Sequence, residues 1–167
     1  MAKLNRQKVL EQAPNERINN FKEVSHGLNE ERMLIEADRC LLCKKPRCVE
    51  GCPVNIDIPG FIAKLRENKV DDAYKIITKT NSLPGICGRV CPQEEQCEKL
   101  CVLAKLKAPI AIGALERYTA DHKSERIKEA PANTQSCKSD KKVAIIGSGP
   151  AGLACAGDLI KYNIQVD

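Results

Sequence analysis

Apolar side chains recur at helical spacing in four stretches of the chain. From Asn29 to Arg39 (NEERMLIEADR), Met33, Leu34 and Ala37 form a stripe, Asn29 stands as the N-cap, and acids fill the first turn. Pro59 opens a second helix at its first position, running to about Asn68, with Phe61, Ile62 and Leu65 on one face. Val70 to Thr80 is a third, with Ala73, Ile76 and Ile77 as its stripe, and Leu83-Pro84-Gly85 breaks it. Ile110 to His122 reads as a fourth, with Leu115, Tyr118 and Thr119 inward. Lys123 to Lys142 is polar and reads as a linker with a short helix in it. The pattern then switches to a continuous apolar strand, Val143 to Ile146, followed by glycines. The predicted fold is mainly α. A helical domain spans residues 1–122, a linker 123–142, and the first β-α unit of an α/β domain 143–167.

Composition sharpens this picture. The chain has 167 residues and ten Cys, against two Phe, three Tyr and no Trp. Large rings bury the most area per residue, so five aromatics are a thin supply for a core. Lys+Arg minus Asp+Glu is 27 − 22 = +5, too small and scattered an excess to argue for nucleic acid. No apolar run approaches the ~18 residues of a membrane span. The segment Met1–Leu10 (MAKLNRQKVL) has no long apolar stretch and no small-residue cleavage site, so no secretory signal is expected. The expected compartment is cytoplasmic, where thiols stay reduced and a disulfide framework is not expected.

Eight of the ten cysteines lie between Cys40 and Cys101, in two quartets. The first is Cys40-x2-Cys43-x4-Cys48-x3-Cys52-Pro53; the second is Cys87-x3-Cys91-Pro92-x4-Cys97-x3-Cys101. Thiolates ligate iron–sulfur clusters and structural zinc. Zinc sites usually pair close ligands across a dozen or more residues, whereas the first quartet packs four thiols into 13 residues with Pro after the last. That resembles the bacterial ferredoxin run, in which three cysteines hold one cluster and the fourth reaches the other. By that logic Cys40, Cys43 and Cys48 bind cluster one and Cys52 belongs to cluster two. Zinc or buried inert thiols are the competing readings. Cys137 and Cys155 read as bystanders, the latter a small hydrophobe on an apolar helix face. Lys44, Lys45, Arg47, Arg89, Lys99 and Lys105 crowd the quartets, where cations would stabilise an anionic cluster or simply form a solvated face. His26 and His122 read as surface residues.

Three stretches carry a family resemblance: Cys40-Leu-Leu-Cys43 through Cys52-Pro53-Val-Asn-Ile-Asp-Ile-Pro-Gly60, Cys87-Gly-Arg-Val-Cys91-Pro92-Gln-Glu-Glu-Gln-Cys97, and Pro109-Ile-Ala-Ile-Gly113-Ala-Leu-Glu116-Arg117. Together they resemble the N-terminal domain of the glutamate synthase small (beta) subunit. The same module occurs in the large subunit of NADH-dependent ferredoxin:NADP oxidoreductase and at the N-terminus of dihydropyrimidine dehydrogenase. The resemblance implies a helical domain of the alpha-helical ferredoxin type with two 4Fe-4S clusters. It also implies that a carboxylate replaces one thiol. Cluster one would be held by Cys40, Cys43, Cys48 and Cys101. Cluster two would be held by Cys52, Cys91, Cys97 and Glu116, with Cys87 a near neighbour and the alternative fourth ligand. Without the family, Glu116 reads as a solvated helix residue.

Val143-Ala-Ile-Ile-Gly147-Ser-Gly149-Pro150-Ala151-Gly152 is a strand, then G-x-G-x-x-G, then a helix. Glycines at these places permit a tight turn and close approach to a pyrophosphate at the helix N-terminus. In the resembled family this version of the motif binds FAD. An acid for the ribose is expected about 20 residues on. Asp167 meets the count but reads as lying inside the second strand. One β-α unit is expected neither to make a parallel sheet nor to hold FAD by itself. The resemblance implies electron transfer through the two clusters, between an FAD- and NADPH- or NADH-linked flavoprotein and a partner such as the glutamate synthase large subunit. Alternatives are a module of a bifurcating NADH-dependent ferredoxin:NADP oxidoreductase, or a zinc-stabilised interaction domain. No residue stands out as a general acid, base or nucleophile, so the chain alone is not expected to be catalytic.

Overall fold

The computed structural model describes residues 5–129 and 140–167, so Cys137 and the middle half of the predicted linker lie outside the described residues. The order is β1 (Leu10–Glu11), α1 (Pro14–Arg17), β2 (Ser25–Gly27), α2 (Glu30–Asp38), α3 (Arg47–Glu50), α4 (Ile58–Arg66), α5 (Val70–Thr78), α6 (Pro84–Val90), α7 (Ile112–Glu129), β3 (Lys142–Val143), α8 (Pro150–Lys161) and β4 (Gln165–Val166). Short 3-10 turns span Gln93–Glu95 and Val102–Leu106. The described chain is mainly helical, with two small two-stranded sheets.

The four predicted helices are present with shifted ends. The Asn29 side chain accepts the Arg32 N–H at 3.0 Å and starts α2, as its residue type predicts. Helix α4 begins one residue before Pro59, because Asp57 caps it by accepting the Gly60 N–H at 3.0 Å. Helix α5 stops at Thr78, and α7 starts at Ile112 and runs past His122 to Glu129. Leu83-Pro84-Gly85, expected to break α5, lies beyond its end at Thr78 and instead opens another helix, since Pro84 sits in the first turn of α6.

Two departures lie in the strands. The β1–β2 antiparallel pair was not legible as alternation. The strand expected over 143–146 is two residues long, and it pairs in parallel with β4 although no parallel sheet was expected. The Asp167 N–H donates to the Val143 carbonyl at 3.0 Å, and its carbonyl accepts from Ile145 at 2.8 Å.

The apolar stripes meet in one core. Met33 of α2, Phe61, Ile62 and Leu65 of α4, Ile77 of α5 and Leu115 of α7 are fully buried in it. A buried polar tie closes its edge. Glu36 is fully buried; its Oε1 accepts from Arg39 at 2.6 Å and from the Ala111 N–H at 2.8 Å, and its Oε2 accepts the Gln7 N–H at 2.7 Å. Arg39 also donates to the carbonyls of Ala108 (2.6 Å) and Pro109 (3.3 Å). One pair thus joins the N-terminal strap, α2 and the segment that enters α7. Removing one partner of such a buried pair strands the other charge. Arg39→Leu is therefore expected to cost about 3–5 kcal/mol, read as a lowered urea midpoint; an unchanged midpoint would show that the tie is solvated.

Candidate metal centre

The eight quartet cysteines gather in two groups that cut across the sequence. Cys40, Cys43, Cys48 and Cys101 line one apolar cavity, walled by Ile58 and Ile62 of α4 and by Ile110 and Ile112. Cys40 follows the end of α2, Cys48 sits in α3, and Cys101 comes from the second quartet just before the turn at Val102–Leu106. Burial raises the Cys40 thiol above its ordinary range, with further push from Cys101 and Cys43. Burial pushes Cys48 up to about 11, again aided by Cys101 and Cys40.

The second group holds Cys52, Cys87, Cys91, Cys97 and Glu116. Burial pushes Cys91 up to about 11, and Cys87, Glu116 and Cys52 add to it. Cys97, 7% exposed, is pushed up to about 12 by burial, then by Glu98, Cys52 and Glu116. Glu116 is buried where a solvated helix residue would be exposed. Burial raises its carboxyl to about 7, and the hydrogen bond from Asn81 opposes the rise.

Two close approaches assemble this group. A Cβ on Gly51 would stand 2.7 Å from the Gln96 carbonyl, so its absence lets Cys52 reach the Cys97 loop. A Cβ on Gly88 would stand 2.7 Å from the Arg117 backbone nitrogen. That glycine lets α6, with Cys87 and the start of the Cys91 turn, lie directly on α7 beside Glu116. The Gln93 side chain donates to the Cys87 carbonyl at 3.1 Å and holds the loop against α6.

The donor set fits iron–sulfur clusters. Crowded, partly buried thiols hold their protons, and a bound cation deprotonates them outright. The nine described cysteines are free. A single zinc ion needs its ligands about 2.0–2.3 Å from one point. Among the described residues no three or more His, Cys, Asp or Glu side chains converge that way.

The remaining expected residues lie elsewhere. Arg47 borders the first cavity. Arg89 instead pairs with Glu23 (2.8 Å) and Asp121 (2.9 Å), and Lys99 with Glu95 (2.7 Å), so these two cations serve the surface. Cys155 is exposed rather than packed as a small hydrophobe. His122 stacks on Tyr118. Gly147 adopts φ +105°, Gly149 is the N-cap of α8, and Pro150, Ala151 and Gly152 form its first turn. Sequence reading missed Asn81. It is 4% exposed and donates to Glu116 Oε1 at 2.7 Å. Asn-Ser-Leu-Pro gives no signal beyond a turn. No described helix is long and apolar enough to cross a membrane.

Residues 17–128 match the family of dihydropyrimidine dehydrogenase domain II, 4Fe-4S cluster. The chain is 40% identical to UacF of Escherichia coli (strain K12) over 153 residues, covering 91% of the chain and 24% of that protein. It is 39% identical over 145 residues to the glutamate synthase (NADPH) small chain of the same strain, covering 87% of the chain and 30% of the relative. With the NAD-dependent dihydropyrimidine dehydrogenase subunit PreT of that strain it shares 37% over 131 residues, 78% of the chain and 31% of the relative. The chain thus spans about a quarter to a third of the length of these relatives.

The close approach at Gly88 has a measurable consequence. Gly88→Ala forces α6 away from α7, an overpacking worth about 1–3 kcal/mol. The unfolding free energy from urea titration is expected to fall by that amount, and any iron binding at the Cys52–Cys91–Cys97 group is expected to weaken with the Cys40 group unaffected; equal loss at both groups would contradict the geometry.

Proposed function

The chain belongs to the dihydropyrimidine dehydrogenase domain II family of 4Fe-4S domains, and we propose that it carries two such clusters that pass electrons between a flavoprotein and a partner subunit. The observation that carries this reading is the crossed gathering of the thiols. Cys101 of the second quartet joins Cys40, Cys43 and Cys48, and Cys52 of the first joins Cys91 and Cys97. Cluster one is assigned to Cys40, Cys43, Cys48 and Cys101, and cluster two to Cys52, Cys91, Cys97 and Glu116. When bound, such clusters supply one-electron transfer at a potential set by ligands, charge and solvent exposure. Ile58, Ile62, Ile110 and Ile112 form an apolar wall beside the first group. In the second, the buried Glu116 carboxylate offers a harder oxygen donor than thiolate.

The flavin side is assigned to Gly147, Gly149, Pro150, Ala151 and Gly152, within residues 143–167 taken as the start of an FAD-binding domain. Residues 1–122 are taken as the iron–sulfur domain and 123–142 as the linker, into which α7 extends. Supporting this arrangement, the Ser82 hydroxyl donates to Asp158 of α8 at 3.0 Å, one residue from Asn81 and thus on the side of the second group. The likeness to the glutamate synthase (NADPH) small chain supports NADPH as the electron source and a large subunit as the partner. The reduced thiols this requires suit the cytoplasm.

Anaerobically purified protein is expected to be brown, to contain equal iron and acid-labile sulfide, and to bleach with dithionite. A colourless protein containing zinc contradicts the reading. Cys48→Ser is expected to abolish cluster one and destabilise the domain, because binding energy there is folding energy. Glu116→Ala is expected to change the EPR signal of cluster two alone; an unchanged signal would return the fourth place to Cys87.

A further inference from the structure

Asn81 lies between α5 and α6, 4% exposed, with its amide nitrogen and oxygen both hydrogen-bonded. Its Oδ1 accepts the Leu83 N–H at 2.9 Å. A backbone N–H can only donate, so this bond sets the orientation of the amide and turns Nδ2 toward Glu116. Nδ2 donates to Glu116 Oε1 at 2.7 Å, the one hydrogen bond to that carboxylate among the described residues. The Cys87 thiol donates to the same Oδ1, with sulfur and oxygen 3.6 Å apart. Both candidates for the fourth place on cluster two are therefore held by one side chain, in opposite senses. The amide N–H anchors Oε1 of Glu116 and leaves its second oxygen without a hydrogen bond among the described residues. The amide oxygen engages the Cys87 thiol and holds that sulfur on the Asn81 side.

We propose that Asn81 is the positioning residue that selects Glu116 over Cys87 as the fourth ligand of cluster two. This rests on the two-cluster reading above. Cys87 is close enough to be a substitute: it lies one helical turn before Cys91, whose N–H donates to the Cys87 carbonyl at 3.1 Å, and its sulfur reaches the same Asn81 that holds Glu116. Without the Asn81 N–H, Glu116 loses the one hydrogen bond that the described residues give it, and Cys87 takes its place. Thiolate donates more electron density to iron than carboxylate does, so the potential of cluster two falls.

The test uses anaerobically purified protein carrying Asn81→Ser or Asn81→Asp, each alone and with Cys87→Ser. A serine hydroxyl can still cap Leu83 through an ST-turn but is too short to reach Glu116. Aspartate keeps both acceptor roles and loses the donor. The single variants are expected to keep both clusters, with the EPR signal of cluster two changed and its midpoint potential lowered. Either variant combined with Cys87→Ser is expected to lose one cluster's iron, whereas Cys87→Ser alone keeps both clusters. Single variants with the wild-type signal, or double variants that keep both clusters, overturn the role of Asn81 while Glu116→Ala still alters cluster two. If Glu116→Ala itself matches wild type, the ligand assignment fails and this proposal fails with it. Loss of both clusters in Asn81→Ser and Asn81→Asp, with loss of far-UV circular dichroism, would assign Asn81 to the fold and overturn the selection.

Discussion

Thiols buried as closely as these cannot ionise together in a medium that screens charge poorly. Burial raises Cys40, Cys48, Cys91 and Cys97, and neighbouring sulfurs raise them further. A cationic cluster core reverses that balance, because it stabilises each thiolate more than its neighbours repel it. Of these residues and their neighbours, Cys40, Cys43, Cys52 and Cys91 lie in loops outside regular helix. Much of what orders these loops is therefore expected to come from metal binding, which is coupled to folding. The five aromatics of the chain fit this view, since part of the interior is built around sulfur.

The protein scaffold sets where the thiols can meet. The crossing of the quartets needs backbones to approach more closely than side chains normally permit. Gly51 against Gln96 and Gly88 against Arg117 provide those approaches. The Glu36–Arg39 tie then sets the entry to α7, and so the position of Glu116 further along the same helix. Thiol and carboxylate geometry in the second group thus depend on the same helix packing.

The long helices were legible because α2, α4, α5 and α7 each bury a stripe of recurring apolar residues. The short ones were not. Helices α1, α3 and α6 span four to seven residues, too few to show a period, and they are set by Pro14, Pro46 and Pro84 with their surroundings. The ferredoxin-like spacing placed Cys52 apart from its own quartet. The crossing of Cys101 came only with the family resemblance, because spacing alone does not say which group it joins. The burial of Glu116 was hidden: its neighbours Arg117, Asp121 and His122 make that helix look solvated, although Arg117 is itself buried by its bonds to Ser25. Asn81 was invisible because its function lies in an orientation set by the Leu83 N–H.

The crossed gathering of the thiols is the central claim, and Cys101 tests it most directly. Cys101→Ser can be compared with Cys52→Ser by EPR of the dithionite-reduced, anaerobically purified proteins. The account predicts that Cys101→Ser removes or alters the signal also lost in Cys48→Ser, and that Cys52→Ser alters the other signal. If Cys101→Ser instead alters the signal lost in Cys97→Ser, each quartet holds its own cluster and the account is contradicted.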